Sequence, residues 1–319
     1  MTILIVDSNA LLHRSFHALP PLTTKEGEQT GAVYGFLLTL FRAIKDVRPD
    51  FVAATFDTPA PTFRHEKFKE YKAKREKAPE EFYEQIPKTK KVLSVLSIPV
   101  FEKEGFEADD LIATISKKSS KSQIYPGIEI YILTGDLDTL QLVDKNIKVY
   151  TLGRGIKETV IYDKEKVRKR FGIEPWQMVD FKALAGDPSD NIPGATGIGK
   201  KIAAELLKKY KNLENLYKII EKEPQSFSIK SPKYSQRLKN LLLQNKEQVF
   251  FSRVLAKTRK DAPIDFKLKE CKFGNFNQEN IGEILKKFEF YSLLKRIPEL
   301  IQRGKNKKRE HSINNGKLF

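Results

Sequence analysis

Along the first half of the chain, short apolar runs alternate with stretches of helical period. Residues 3–6, 51–56, 128–133 and 147–152 are compact apolar runs and predict strands. Residues 31–47, 86–96 and 109–118 repeat their apolar positions at helical spacing. That order predicts a mostly parallel α/β sheet flanked by helices. Residues 64–84 break the pattern: Lys67, Lys69, Lys72, Lys74, Arg75 and Lys77 stand among scattered aromatics, with too few aliphatics for a buried face. This segment is expected to project from the body. From residue 163 onward β-branched runs become rare and helical patterns dominate, at 176–184, 200–210, 234–254 and 278–288. The pattern divides the chain into an α/β domain over 1–170 and a helical region over 171–301. Residues 302–319, with Arg303, Lys305, Lys307, Lys308 and Arg309, have no apolar period and are expected to form a disordered basic tail.

Composition narrows the classes. The chain has 319 residues, 40% of them hydrophobic, enough for one large or two modest cores. A formal net charge of +17 favours a polyanionic partner, nucleic acid or an acidic membrane, over a merely solubilising surface once the motifs are weighed. Cys271 is the single cysteine and the four histidines are scattered, so neither a disulfide framework nor a zinc cluster is expected. The apolar run after Met1 is short, has no basic residues before it and ends in Asp7, so it reads as a buried strand rather than a signal peptide. No other stretch approaches the roughly 20 apolar residues that span a bilayer. A cytoplasmic, nucleoid-associated protein with no membrane partner is expected.

The acids fall at informative places for so basic a chain. Asp7 closes ILIVD, Asp57 closes FVAATFD, and Asp136 and Asp138 close IYILTGDLD, putting carboxylates at the carboxyl ends of different strands, where open α/β sheets bind ligands. Glu107, Asp109 and Asp110 of FEADD stand at the start of a predicted helix facing the same edge, and Asp187 and Asp190 come from the turn GDPSDN. Singly, Asp109 or Asp187 could cap a helix and Asp57 could begin a turn. Together they would repel and raise one another's pKa, a conflict that a divalent cation resolves. Oxygen-only ligands favour Mg²⁺ or Mn²⁺, and such a set can hold two ions, an arrangement suited to phosphodiester hydrolysis.

Residues 194–201, GATGIGKK, have Walker A spacing, but Lys201 stands where Ser or Thr would hold Mg²⁺, and no apolar strand precedes the first glycine. A helix–hairpin–helix over about 185–210 fits better than a nucleotide loop or a plain turn. In it, Gly197 and Gly199 let amides at a helix start approach a DNA phosphate, with Lys200 and Lys201 adding charge.

Five ordered motifs, DSNALLHRSFHAL from Asp7, TFDTPAPTFRHEKFKEYKAKR from Thr55, GFEADD from Gly105, ILTGDLDTLQL from Ile132 and AGDPSDNIPGATGIGKKIA from Ala185, resemble the 5′ nuclease domain of bacterial DNA polymerase I and the flap endonucleases. The resemblance runs to about Ile301. It implies a PIN-like sheet, with residues 64–84 as a helical arch over the 5′ strand. Asp7, Asp57, Glu107 and Asp109 would hold the catalytic metal, and Asp110, Asp136, Asp138, Asp187 and Asp190 would surround a second ion. Lys72, Arg75, Arg14 and Arg64 would stabilise the scissile phosphate. A K⁺ ion would sit on the carbonyls around Gly197 and Gly199. Lys67, Lys77, Tyr71 and His13 join the DNA-binding set. His13 departs from the family's frequent Tyr; it would either stack on a base or pack on the first helix.

The reading is a structure-specific 5′ nuclease, exonuclease and flap endonuclease, acting in primer removal and repair on DNA with a 5′ flap, nick or gap. A monomer is expected, with a DNA polymerase as possible partner. Because no polymerase-like region follows Ile301, the expectation is a stand-alone nuclease or the separated front of a polymerase. Two rival classes are a PIN-type RNA endonuclease, against which GDPSDN and the helix–hairpin–helix argue, and a non-catalytic DNA-junction module, against which the full set of acids and Lys72 argue.

Overall fold

The computed structural model describes residues 1–153, 159–229 and 231–301, and the tail expected at 302–319 lies outside them. β1 (Thr2–Asp7) runs straight into α1 (Ser8–Ala18), because the Asp7 carboxylate turns onto the Ala10 amide, 3.1 Å away, and caps the helix. There follow α2 (Gly31–Val47), β2 (Phe51–Thr55), the short α3 (Phe63–Lys67) and α4 (Glu80–Tyr83), and α5 (Gln85–Val95). Next come β3 (Val100–Phe101), α6 (Ala108–Ser120), β4 (Glu129–Thr134), β5 (Ile147–Leu152) and β6 (Thr159–Tyr162). The sheet order is β3-β2-β1-β4-β5-β6, parallel except for β6 on β5. From β1 the chain proceeds to β2 and β3 on one side and then returns to β4 on the other. The order therefore reverses between β1 and β4, and a crevice opens at their carboxyl ends.

Successive side chains of each strand enter opposite cores. Ile3, Ile5, Ala53, Ile130 and Ile132 face one, and Leu4, Val6, Val52, Ala54 and Leu133 face the other, all fully buried. The first core is covered by α6 and by α7 (Lys164–Phe171), α8 (Met178–Ala185), α9 (Lys200–Tyr210), α10 (Leu213–Lys222), α11 (Pro232–Gln244) and α12 (Lys246–Ala256). The second is covered by α1, α2 and α5. It is completed by α13 (Gln278–Lys287), α14 (Tyr291–Leu294) and α15 (Ile297–Ile301), whose Ile281, Leu285, Leu293 and Ile297 join Phe36 and Leu40 of α2. The last helices therefore do not extend the helical region that holds the hairpin. They cross to the opposite face of the sheet, where α2 needs a cover.

Two expected elements differ. The helix expected over 234–254 breaks at Asn245, whose side-chain amide donates to the Leu241 carbonyl at 2.8 Å while its Oδ1 accepts the Thr196 amide at 3.2 Å. The break thus gives a hairpin amide its partner. Residues 64–84 are not a continuous projecting arch: they hold α3 and α4 with turns between, and Arg64, Tyr71 and Phe82 are buried against the body.

The helix–hairpin–helix appears as α8, a loop over 186–199, and α9. Its two limbs touch backbone to backbone, since a Cβ on Gly194, at φ +65°, would stand 2.2 Å from the Gly186 nitrogen. Gly194→Ala should therefore combine a strained φ with a clash and cost about 1–3 kcal/mol or more. Urea unfolding checks this, and a loss below about 0.5 kcal/mol, the scatter of neutral surface changes, would mean the limbs can part freely.

Candidate active site

Strand ends and one helix start build a cleft of ≈ 890 Å³, lined by Asp7, Asp57, Glu107, Asp109, Asp136 and Asp190, with His13, Lys72, Arg75 and Lys77 on its walls. Asp7 accepts from Thr134 Oγ1 at 2.6 Å as well as from Ala10. Burial pushes its carboxyl up to about 7, with Asp57 and Asp136 adding repulsion. Asp57 opens onto the cleft, yet desolvation still raises it against the Ala108 amide, which it accepts at 2.7 Å. That bond ties the end of β2 to the first turn of α6. Glu107, 8% exposed, is the N-cap of α6. Asp109 is raised well above the ordinary carboxylate range by burial and by Asp136, Asp7 and Asp138.

A second carboxylate group adjoins the first. Asp138, Asp187 and Asp190 each present an oxygen, all within 4.8 Å of one another, an arrangement able to hold a metal ion. Lys182 of α8 reaches between two of them, contacting Asp138 and donating to Asp187 Oδ2 at 2.6 Å. Burial raises Asp138 to about 7 despite that lysine, whereas against burial Lys182 and Ser189 hold Asp187 down at about 2.

The basic segment folds onto these acids. Lys72 Nζ donates to Glu107 Oε1 at 2.9 Å, Arg75 pairs with Asp190, and the Tyr71 hydroxyl lies 3.3 Å from Glu107 Oε2 and 3.2 Å from Asp190 Oδ2. Lys72 holds a left-handed backbone, φ +56°, while its amide donates to the Asp190 carbonyl at 3.0 Å. Away from the acids, α9 begins at Gly199, where a Cβ would meet open space, with Lys200 and Lys201 exposed.

Two family models divide the chain between them. Residues 2–172 match the 5′-3′ exonuclease N-terminal resolvase-like domain and residues 173–279 the 5′-3′ exonuclease C-terminal SAM fold. The chain belongs to the 5′-3′ exonuclease family. Among its relatives, a 5′-3′ exonuclease of Aquifex aeolicus is 37% identical over 303 residues, 95% of this chain and 97% of the relative. The DNA polymerase I of Caldicellulosiruptor bescii is 38% identical over 299 residues, 93% of this chain but 33% of the relative. The chain thus spans about a third of the polymerases it matches. A structure of T5 5′-exonuclease with bound divalent zinc ions has a TM-score of 0.62 at 22% identity, covering 91% of this chain and 99% of that one. The catalytic core of Rad2 in complex with DNA substrate superposes with a TM-score of 0.61 at 18% identity, covering 93% and 92%. At such identities the two structures establish the fold alone. No helix among the described residues is long and apolar enough to cross a membrane.

Within this family member, several expected residues stand elsewhere. Asp110 is fully buried; it takes both guanidinium nitrogens of Arg64 at 2.9 Å and also accepts the Glu107 and Arg259 amides. It locks the start of α6 instead of lining the cleft. Arg64, 2% exposed, also donates to the carbonyls of Leu255 and Lys257, so it braces α12 and does not face a phosphate. Tyr71, 3% exposed, lies beneath the carboxylates, where no base can stack on it. Arg14 turns to the Gly153 carbonyl. His13 is exposed on the cleft and stacks on Phe82 with ring centroids 4.0 Å apart, so it both packs and presents a face. Lys67 is exposed outside the cleft lining. Capping, expected only of Asp109 or Asp187, belongs to Asp7 and Glu107.

Sequence reasoning overlooked Lys182 and Tyr83. The signal for Lys182 was a cation in the otherwise apolar MVDFKALA, whose other charge, Asp180, pairs with Arg253. Tyr83, 49% exposed, lines the cleft beside His13.

Two outcomes follow from this geometry. Arg64→Met would strand the Asp110 carboxylate in a dry site and should cost about 3–5 kcal/mol, read by urea unfolding; a loss under about 1 kcal/mol would fit an exposed pair instead. Asp7 and Asp138 bind protons up to about pH 7 when folded but only to their ordinary 3.8 when unfolded. Between those values the folded chain holds more protons, so in chelator its stability should fall as pH rises from about 4 to about 7. Asp138→Asn should flatten part of that slope, and a parental stability that climbs across this window would contradict the crowding.

Proposed function

We propose that the chain is a structure-specific 5′ nuclease, hydrolysing DNA phosphodiesters near a junction of single strand and duplex to leave a 5′-phosphate and a 3′-hydroxyl. The observation that carries this reading is the crowding of carboxylates at the ends of β1, β2 and β4 and the start of α6, where Asp7, Asp57, Asp109 and Asp136 line one cleft and Asp138, Asp187 and Asp190 bring oxygens within 4.8 Å of one another. Their oxygen-only chemistry fits Mg²⁺ or Mn²⁺. Asp7, Asp57, Glu107 and Asp109 would hold one ion, and Asp136, Asp138, Asp187 and Asp190 a second. Bound there, the ions would activate water and neutralise the phosphate and the leaving oxygen.

The chain's own residues do the rest. Lys72 and Arg75 line the cleft paired with Glu107 and Asp190, and each can exchange its carboxylate for the incoming phosphate, offsetting charge that develops in the transition state. Arg14, one turn along α1 from the cleft, adds to the positive field. His13 and Tyr83 offer flat faces for terminal bases. Lys67 and Lys77 attract the strand at longer range. The open start of α9 grips duplex backbone through the amides near Gly197 and Gly199 and the ammonium groups of Lys200 and Lys201, with a K⁺ ion on neighbouring carbonyls. Substrates with a 5′ flap, nick or gap, and a place in primer removal and repair beside a DNA polymerase, agree with this arrangement. A duplex grip of this kind disfavours a single-stranded RNA endonuclease.

Asp57→Asn should abolish Mg²⁺-dependent cleavage of a labelled 5′ flap while leaving flap affinity intact or tighter, because a repulsive charge facing phosphate is lost. Near-parental cleavage would remove Asp57 from the metal set. Lys72→Ala should slow single-turnover cleavage about 10²–10³-fold with modest loss of affinity. Lys77→Ala should mainly weaken flap binding, in a way that added salt imitates. Equal, salt-like effects of the two would reduce the whole segment to a solvated basic face.

A further inference from the structure

We propose that Lys182 is a built-in counter-ion of the second carboxylate group, occupying the space between Asp138 and Asp187 until a divalent cation displaces it, and so setting how tightly that position binds metal. The inference rests on the metal-dependent reading above and assigns a residue to which nothing in that reading gave a role.

Three observations carry it. Lys182 touches two of the three acids whose oxygens converge within 4.8 Å, so its ammonium pairs with carboxylates that an ion held by Asp138, Asp187 and Asp190 would need. An ammonium has only donors and cannot share a carboxylate lone pair with a metal, and two cations side by side in a poorly solvated site repel strongly. The lysine side chain is 12% exposed, with Asp138 and Asp187 at 21% and 14%, so solvent screens this contact little. Its approach also separates it from Lys72 and Arg75. Those two come from the stretch between α3 and α4, whereas Lys182 belongs to α8, which Phe181, Ala183 and Leu184 pack into the core. Withdrawal of the basic segment would leave Lys182 in place. Its four-carbon stem nonetheless lets the ammonium swing aside while the helix stays fixed.

The consequence is an inequality between the two metal positions. In the first set Glu107 pairs with Lys72 and Arg64, but Asp7, Asp57 and Asp109 have no ion pair with a lysine among the described residues, so their ion should bind first. The second ion must also displace a cation. Calorimetric titration of Mn²⁺ into the parental chain, Lys182→Met and Lys182→Arg, with thermal melting in chelator and in saturating Mn²⁺, tests this without substrate. The parent should bind in a tight and a weak phase. Lys182→Met should tighten the weak phase about tenfold or more, melt lower than the parent in chelator and gain more from Mn²⁺. Lys182→Arg keeps the charge and should stay close to the parent. A Lys182→Met chain that folds only with Mn²⁺ would carry the same meaning.

A weak phase unchanged or weakened in Lys182→Met, or an arginine variant that behaves like the methionine one, would overturn the proposal and leave Lys182 a plain structural ion pair. So would failure of Lys182→Met to fold even in Mn²⁺, since metal then does not replace the lysine. Absence of divalent binding by the parent and variant alike would instead bring down the metal-dependent reading itself.

Discussion

Mutual repulsion among carboxylates at the ends of parallel strands is the constraint around which the molecule is arranged. Strand ends converge wherever a parallel sheet reverses its order, and here the chain puts an acid at nearly every one. Left alone, such a group would ionise only at a steep electrostatic cost. The fold meets that cost locally. Thr134 and the Ala10 amide hold Asp7, the first amide of α6 holds Asp57, Lys72 holds Glu107, Arg75 holds Asp190, and Lys182 spans Asp138 and Asp187. The cation excess of the chain is thus partly spent inside, at the one place where anions are packed together.

That view explains what the sequence disclosed and what it hid. Asp7, Asp57 and Asp136 were legible because a strand followed by an acid fixes both position and direction, and β-strand runs are short and unmistakable. α9 was legible to the residue, since Gly199 and the lysines after it mark a helix start. Hidden were the facts that depend on which distant partner a charge finds. Asp110 looks like its neighbour Asp109 along the chain, yet the rotation of about 100° between successive helix residues sends it inward to Arg64, 46 residues away. The segment expected to stand out as an arch lacks an apolar face, but ion pairs and Tyr71 draw it into the cleft. The two-residue β3 and the antiparallel β6 carry too little pattern to be seen. The crossing of α13 to α15 to the back of the sheet follows from the width of α2's apolar face, which no local periodicity reports.

The two cores also bear on how the site is held. Helix α8, which carries Lys182 and leads into the loop of Asp187 and Asp190, packs on the same core as α6, which carries Asp109 and is capped by Glu107. The acids from the first half and those from the second are therefore fixed by one packed interior and not by a flexible joint. Arg64 adds a polar weld between the same parts, joining α6 to the end of α12.

The loop over 186–199 has a further consequence. Near one end it holds Asp190 on the cleft and Asp187 in the carboxylate group beside it, and at the other it presents Gly197 and Gly199 at the open start of α9, while the backbones of Gly186 and Gly194 press together. The loop is thus a stiff gauge. A duplex gripped at one end would meet the acids at a set number of nucleotides from that grip, whatever its bases. An enzyme built this way would find its cut by measuring along the backbone from the duplex it holds.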